Sequence, residues 1–371
     1  MVVNTAMNVP VTVTRACTLM FSAAALMGQI AVPQSDDHDP DLPRLVCRMA
    51  MFAQQLADLP GAEKLARHGL ALFARSDSLE TADGAACLTS YAGLFEAKGL
   101  EPEAQKQLEN ALAVRERLFG PNHFLVADTL IRLGLTHSRQ GHLQEAEQAQ
   151  ARAVEILRAQ LPTPELAAAL NNLGNVMAAQ GRSKEAEGRI REAISIWERV
   201  RGPEDPSVAP GLLNLGILLQ ARKEYEEAGR LIARALKLDE KSLPADHPRI
   251  GMDLNAAGVL AMARKNYREA ETMLARAAMI LEASESPLHA EVGQVLLNLA
   301  EVYRLQKKTD QARDTFERGL GAAALAWGPS DPRLPDWMER LAATLRQQED
   351  YAGAEELEIR ATRIRVLHTI R

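Results

Sequence analysis

Apolar positions recur along most of the chain with the three- and four-residue spacing of helices, and this pattern itself repeats. A small residue marks the phase of each repeat: Ala62, Ala104, Ala146, Ala186, Ala228, Ala270, Ala312 and Ala354, spaced 42, 42, 40, 42, 42, 42 and 42 residues apart. Twelve positions before each stands a second one (Ala50, Ala92, Gly134, Gly174, Gly216, Gly258, Ala300, Ala342). Seven positions after each stands a third (Gly69, Ala111, Ala153, Ala193, Ala235, Ala277, Gly319, Ala361). All 24 positions hold Ala or Gly, which chance does not supply.

The first small residue sits in an apolar helical stretch such as Leu212-Leu213-Asn214-Leu215-Gly216-Ile217-Leu218-Leu219. The other two, seven apart, share one face of a second helix. Small residues on that face let two helices approach closely while larger neighbours interlock. Each repeat therefore reads as two antiparallel helices joined by a short turn, as at Gln180-Gly181-Arg182-Ser183. Gly99, Gly141 and Gly181 suit a left-handed end of the first helix. Lys223, Lys265 and Lys307 stand there in later repeats, where a cation complements the helix dipole. Between repeats, Pro40, Pro164, Pro206, Pro248 and Pro332 stand 22 residues before the alignment alanine. Asp39, Thr163, Asp205 and Asp331 precede four of them, the pattern of a capped helix start.

A period near 42 also fits HEAT and WD40 arrays. WD40 blades need β-rich, aromatic segments, which are absent, and the small-residue triplet argues against HEAT. Leu170-Asn171-Asn172-Leu173-Gly174, Gln180-Gly181, Glu185-Ala186-Glu187 and Arg191-Glu192-Ala193-Ile194 resemble the tetratricopeptide repeat. The extra length over its usual ~34 residues resembles the kinesin light chain type, as do the loops Asp246-His247-Pro248 and Gly328-Pro329-Ser330-Asp331-Pro332. The resemblance covers about residues 40–371 and implies an all-α, right-handed α-solenoid of eight helical pairs. Repeat one departs most, with Asp58-Leu59-Pro60-Gly61 in its turn.

The composition agrees: 47% apolar and 25% charged residues suit a folded, soluble chain, and only 4% aromatic residues disfavour β-sandwiches and barrels. A formal net charge of −6 leaves no global basic field for nucleic acid or an anionic membrane. Cys17, Cys47 and Cys87 lie far apart with no CxxC; they suggest neither a disulfide framework nor a zinc cluster, and a reducing compartment suits them. Residues 1–13 read as a flexible tail. The apolar run Ala16 to Val32 admits two readings: within residues 14–39, a capping helix and loop in a cytoplasmic protein, or a signal-like segment over residues 1–31 in an exported one.

No H-E-x-x-H, G-x-x-x-x-G-K or G-x-S-x-G motif occurs, so neither enzyme, cofactor nor metal is expected. Gly319-Leu320-Gly321-Ala322-Ala323-Ala324 mimics a dinucleotide fingerprint but lies inside a second helix with no strand before it. His38, His123, His247 and His289 recur at the inter-repeat loop, which points to loop structure rather than metal binding. Trp197, Trp327 and Trp337 are expected to pack between repeats.

One constellation suggests binding. The family resemblance implies that first helices line a concave surface. Two residues before each first-helix small residue stand Arg48, Ser90, Arg132, Asn172, Asn214, Ala256, Asn298 and Arg340, none of them acidic. Asn171, Asn175 and Asn255 widen the polar row. An asparagine donates and accepts, matching an extended peptide backbone, and an arginine fork takes a carboxylate. The expected function is a non-catalytic scaffold whose groove grips an extended, acidic segment of a protein partner. The competing reading has the asparagines bonding one another across neighbouring first helices. The same fold would also serve a ligand-sensing regulatory array, or a secreted or envelope-associated assembly factor.

Overall fold

The structure is a computed structural model that describes residues 41–55, 58–76, 78–159, 162–284 and 289–369. The expected tail at 1–13 and capping segment at 14–39 lie outside them. Among the described residues every regular element is helical, sixteen α-helices and one 3-10 turn at Pro206–Val208. They fall into two compact units that divide between Val176 and Met177.

The first unit holds three helical pairs: α1 (Leu42–Gln55) with α2 (Leu59–Arg75), α3 (Ala82–Ala97) with α4 (Glu101–Phe119), and α5 (Phe124–Arg139) with α6 (Leu143–Arg158). The division falls within α7 (Pro164–Ala179). The second unit holds α8 (Ser183–Arg201), then α9 (Ala209–Ala221) with α10 (Tyr225–Ser242), and α11 (Pro248–Ala263) with α12 (Tyr267–Glu282). It continues with α13 (His289–Leu305) beside α14 (Thr309–Trp327), and α15 (Leu334–Gln347) beside α16 (Tyr351–Thr369).

Among the described residues the expected punctuation is present, with two differences; Asp39 and Pro40 lie outside them. Lys223, Lys265 and Lys307 do more than face a helix end: they adopt positive φ themselves (66°, 63° and 62°), the conformation that Gly141 and Gly181 adopt at the same turn. At two starts the cap is the histidine beside the expected acid or loop: Nδ1 of His123 accepts from the Leu125 N–H, and Nδ1 of His247 from the Arg249 N–H. At these two loops histidine has a structural role as a helix cap, while His38 and the His289 side chain lie outside the described residues.

All eight alignment alanines are fully buried. Around them the two helices of a pair leave no room for a larger residue. A Cβ on Gly216 would stand 2.6 Å from Ile232 Cγ1 and 3.3 Å from the Ala228 carbonyl oxygen. A Cβ on Gly258 would stand 2.6 Å from Leu274 Cγ.

Between repeats, the residue four after the third small position meets the residue five before the next repeat's first small position. Volumes at this slot are complementary. Phe73 packs with Cys87, and Leu281 shares a cluster with Val295. A Cβ on Gly211 would lie 3.0 Å from Trp197 Cζ3, so the large indole requires the absent side chain. The small Ala323 leaves room for Trp337 in the C-terminal cluster, as expected for these tryptophans. In the slot between repeats two and three the buried Arg115 is satisfied by the Thr129 hydroxyl at 2.6 Å, the Leu125 carbonyl at 3.0 Å and Asp128 at 3.0 Å.

The slot between α10 and α11 holds two carboxyls, Asp239 and Asp253, each 2% exposed. Arg249 Nη2 reaches Asp239 at 2.8 Å, whereas Asp253 Oδ2 has no hydrogen-bond partner. Burial, then the neighbouring Asp239 charge, pushes Asp253 up to about 8, and burial also raises Asp239. A proton retained on Asp253 lets it donate to Asp239 instead of facing it as a second buried anion.

Ion pairs stitch successive second helices along their outer edge. The arginine before the third small residue reaches a glutamate 36 positions earlier: Arg152–Glu116 at 2.5 Å, Arg234–Glu198 at 2.8 Å, Arg276–Glu240 at 2.8 Å, and Arg318–Glu282. First-helix ends latch backward as well, through Arg264 Nη2 to the Tyr225 carbonyl at 2.5 Å and Gln306 Nε2 to the Tyr267 carbonyl at 3.0 Å.

The cysteines correct the sequence expectation. Cys47 on α1 and Cys87 on α3 are disulfide-bonded, with Cα atoms 5.6 Å apart. Their separation of 40 residues is close to one repeat, so stacking the repeats brings them together although the chain between them is long. A search for local CxxC spacing does not register such a pair.

Two outcomes follow from the packing. Gly216→Leu overpacks one helical pair and should lower the stability of the second unit by about 1–3 kcal/mol, with part of the loss recovered by adding Ile232→Ala, as read in urea unfolding. The second concerns pH. The folded chain holds the Asp253 proton between its ordinary value near 3.8 and its raised value of about 8, while the unfolded chain releases it. Stability of the second unit should therefore fall as pH rises through that window. Asp253→Asn, neutral throughout, should flatten the decline and be the more stable variant at pH ~9; equal pH slopes for the two proteins would contradict the assignment.

Candidate functional site

First helices of successive repeats lie in one layer of each unit, and the polar row falls on them. In the first unit Arg48 is exposed, and the Ser90 hydroxyl donates to its own helix at Ala86. Arg132 is engaged inside the protein: Nη1 donates to the Thr89 carbonyl at 2.7 Å and Nη2 to Glu96 at 2.8 Å. Both partners belong to the preceding first helix, α3, so the pair is neutral as a unit and ties α5 to α3. Beside it Gln54 Nε2 donates to the Gly93 carbonyl at 3.2 Å, which ties α3 to α1. On α7, Asn171 is buried, Asn172 half-buried and Asn175 exposed.

In the second unit Asn214 and Asn255 are half-buried, and Asn298 and Ala256 are buried. Asn298 Nδ2 donates to Asn255 Oδ1 at 2.9 Å across neighbouring first helices, while its own oxygen accepts from Gln294 at 3.3 Å. For this pair the contact is the interhelical one that the competing reading described. The same helices expose Ile217 and Met252 to solvent.

Arg340 differs from Arg132. Its guanidinium stacks over Trp337, 4.8 Å from the ring centroid, and Nη1 lies 3.1 Å from Glu301. The same Glu301 carboxylate, only 7% exposed, already holds Arg304 through two bonds of 2.8 Å. The hydrogen bonds to Glu301 raise the Arg304 pKa further, so that side chain is always charged. Two guanidiniums share one carboxylate, and the trio carries one net positive charge. Arg340 is the more open of the two, with 45% of its side chain accessible.

Sequence reasoning named the arginines and missed their acids. Glu96 stands 36 residues before Arg132 and Glu301 stands 39 before Arg340, about one repeat in each case, so only a search across the repeat period reveals them. Arg304 and Trp337 were not in the row because they lie at other helical positions. Among the described residues no cluster of His, Cys, Asp and Glu is arranged to hold a metal ion, and no helix is long and apolar enough to cross a membrane.

Several solved structures share this architecture. The apo form of the quorum sensor NprR from B. thuringiensis matches with a TM-score of 0.64 and 11% identity, covering 95% of this chain and 94% of that one. The apo form of RapI matches with a TM-score of 0.57 and 12% identity, covering 78% of this chain and 100% of its own. BtubC (BKLC) from P. vanneervenii matches with a TM-score of 0.52 and 22% identity, over 61% of this chain and 92% of that one. At these identities the likeness is one of fold. No curated protein matches the chain. The family model described as tetratricopeptide repeat matches residues 84–159, 165–241, 208–283 and 248–324, and a second model of the same description matches 336–367. The chain belongs to the tetratricopeptide-repeat family.

Proposed function

We propose that this chain is a non-catalytic scaffold whose first-helix surface in the second unit grips an extended, acidic segment of a partner protein. Repeats of this family bind protein or peptide partners, and the fold is generally non-catalytic. The observation that carries the finer reading is the trio Arg304–Glu301–Arg340. One buried carboxylate cannot neutralise two guanidiniums, and the stacked Trp337 holds the more exposed one in place. An incoming Asp or Glu side chain would complete the charge balance and pair with the planar Arg340 fork. The exposed Ile217 and Met252 on earlier first helices of the same unit supply apolar contact. Arg132, neutralised by Glu96, serves the fold under this reading.

The test uses an immobilised library of extended peptides, each acidic member matched by a version with Asn and Gln in place of Asp and Glu. Acidic members should bind, and binding should weaken with salt. Arg304→Gln combined with Arg340→Gln should reduce affinity by about tenfold or more, the effect of losing one charge-assisted bond of ~1.5–3 kcal/mol. Arg132→Gln should instead lower thermal stability and leave binding of the folded protein little changed. Arg363→Gln on the last helix, exposed and remote from the trio in sequence, is the control. Equal losses in the Arg363 control and in the double variant would overturn the proposal.

A further inference from the structure

The junction between repeats one and two is the one place among the described residues where a covalent bond joins two repeats. Cys47 and Cys87 are both buried, at 6% and 2% exposure, and pack against Phe73 of α2. The surroundings are shaped to a sulfur: a Cβ on Gly69 would lie 2.4 Å from Cys47 Sγ. The other polar ties across this junction are modest. They include the Lys98–Glu63 pair, a 3.6 Å contact between the exposed Arg44 and Asp83, the Gln54 bond to the Gly93 carbonyl, and a hydrogen bond between the Arg67 and Tyr91 side chains. Among the described residues, both helices of repeat one pack against α3 of repeat two.

We infer that the Cys47–Cys87 bond is a redox-controlled lock on repeat one, which fixes α1 and α2 against α3 when oxidised and lets that helical pair open when reduced. In a repeat array each pair is held by its nearest neighbours, so loss of one interface acts locally. Formation of the lock is ordinary thiol–disulfide exchange. The Cys47 thiolate attacks the disulfide of a thiol oxidoreductase, and one thiol of that oxidant leaves. The Cys87 thiolate then attacks the Cys47 sulfur of the mixed disulfide, and the oxidant's second thiol leaves. Two protein thiols lose two electrons and two protons, and one oxidant disulfide becomes two thiols. Because both sulfurs are buried in the packed state, exchange requires repeat one to open first. The closed lock is then shielded from reductant by the packing it secures. Arg48 is the residue after Cys47, so opening repeat one also withdraws that member of the polar row.

The experiment uses the full chain carrying Cys17→Ser, which leaves only the two cysteines of the junction, and compares oxidised with reduced protein by hydrogen exchange and mass spectrometry. The oxidised protein should be lighter by two hydrogens. On reduction, amide protection over residues 42–75 should fall by roughly tenfold or more. Protection over residues 124–158 should stay unchanged. Cys47→Ser with Cys87→Ser should show the reduced pattern under both conditions. Two free thiols in protein exposed to an oxidised thiol couple would overturn the inference. So would a bond whose reduction leaves residues 42–75 unchanged, or whose reduction lowers protection equally along the whole chain.

Discussion

The close approach of the two helices within each pair is the constraint from which the remaining structure follows. It occurs where a Gly or Ala of the first helix faces a buried Ala of the second, and at Gly216 even one methyl group would collide with Ile232 and the Ala228 carbonyl. With the backbones that close, the larger side chains beside the contact must interlock. Leu108, Ile190, Ile232, Leu274 and Phe316, each four residues after its alignment alanine, are accordingly among the most buried side chains. The rotation of one helix on the other is thereby set in the pairs within each unit, and each such repeat presents nearly the same two surfaces to its neighbours. The slot between repeats can then vary in chemistry without varying in position. Trp197 against Gly211 and Ala323 beside Trp337 fill it with opposite distributions of volume.

That freedom brings in the polar exceptions. Arg115 occupies the slot with three acceptors, so its charge is satisfied by bonds the neighbouring helix already offers. Asp239 and Asp253 fill the equivalent slot with two carboxyls and one arginine partner between them, which makes the junction sensitive to a single proton. Cys47 and Cys87 make a third junction covalent. What differs among them is the chemistry that fills the slot: a guanidinium with three acceptors, a pair of carboxyls, or a disulfide. The arginine–glutamate ladder along the second helices adds less stability, since exposed pairs contribute little each. Its 36-residue regularity nonetheless favours the one register in which every rung is made.

The first-helix surfaces place one residue type in two electrostatic settings. Arg132 and Arg340 stand at the same position of their repeats. Arg132 meets an acid and a carbonyl of the preceding helix and is fully used. Arg340 meets an acid that Arg304 already holds, and keeps charge to offer outward. The difference lies in the preceding repeat rather than in the arginine.

The 42-residue spacing of small residues, the prolines at helix starts and the glycines at turns were sufficient to read sixteen of these helices and their pairing, because each signal acts within a few residues or at one fixed period. The polar row from Arg48 to Arg340 was legible as positions on first helices for the same reason. Its chemistry was not. Whether Arg132 is free, whether Asn298 meets Asn255, and whether Cys47 meets Cys87 depend on side chains about one repeat away, and a residue's own neighbours in sequence say nothing of them. Charge balance at Glu301 and proton affinity at Asp253 are decided later still, by burial, since a carboxylate is costly only once water has been excluded from it. The sequence by itself therefore determined the repeating scaffold, whose forces are local and periodic. Only the tertiary structure decided which polar groups neutralise one another and which keep an unbalanced charge, because that depends on which repeats are stacked together and on what their stacking hides from solvent.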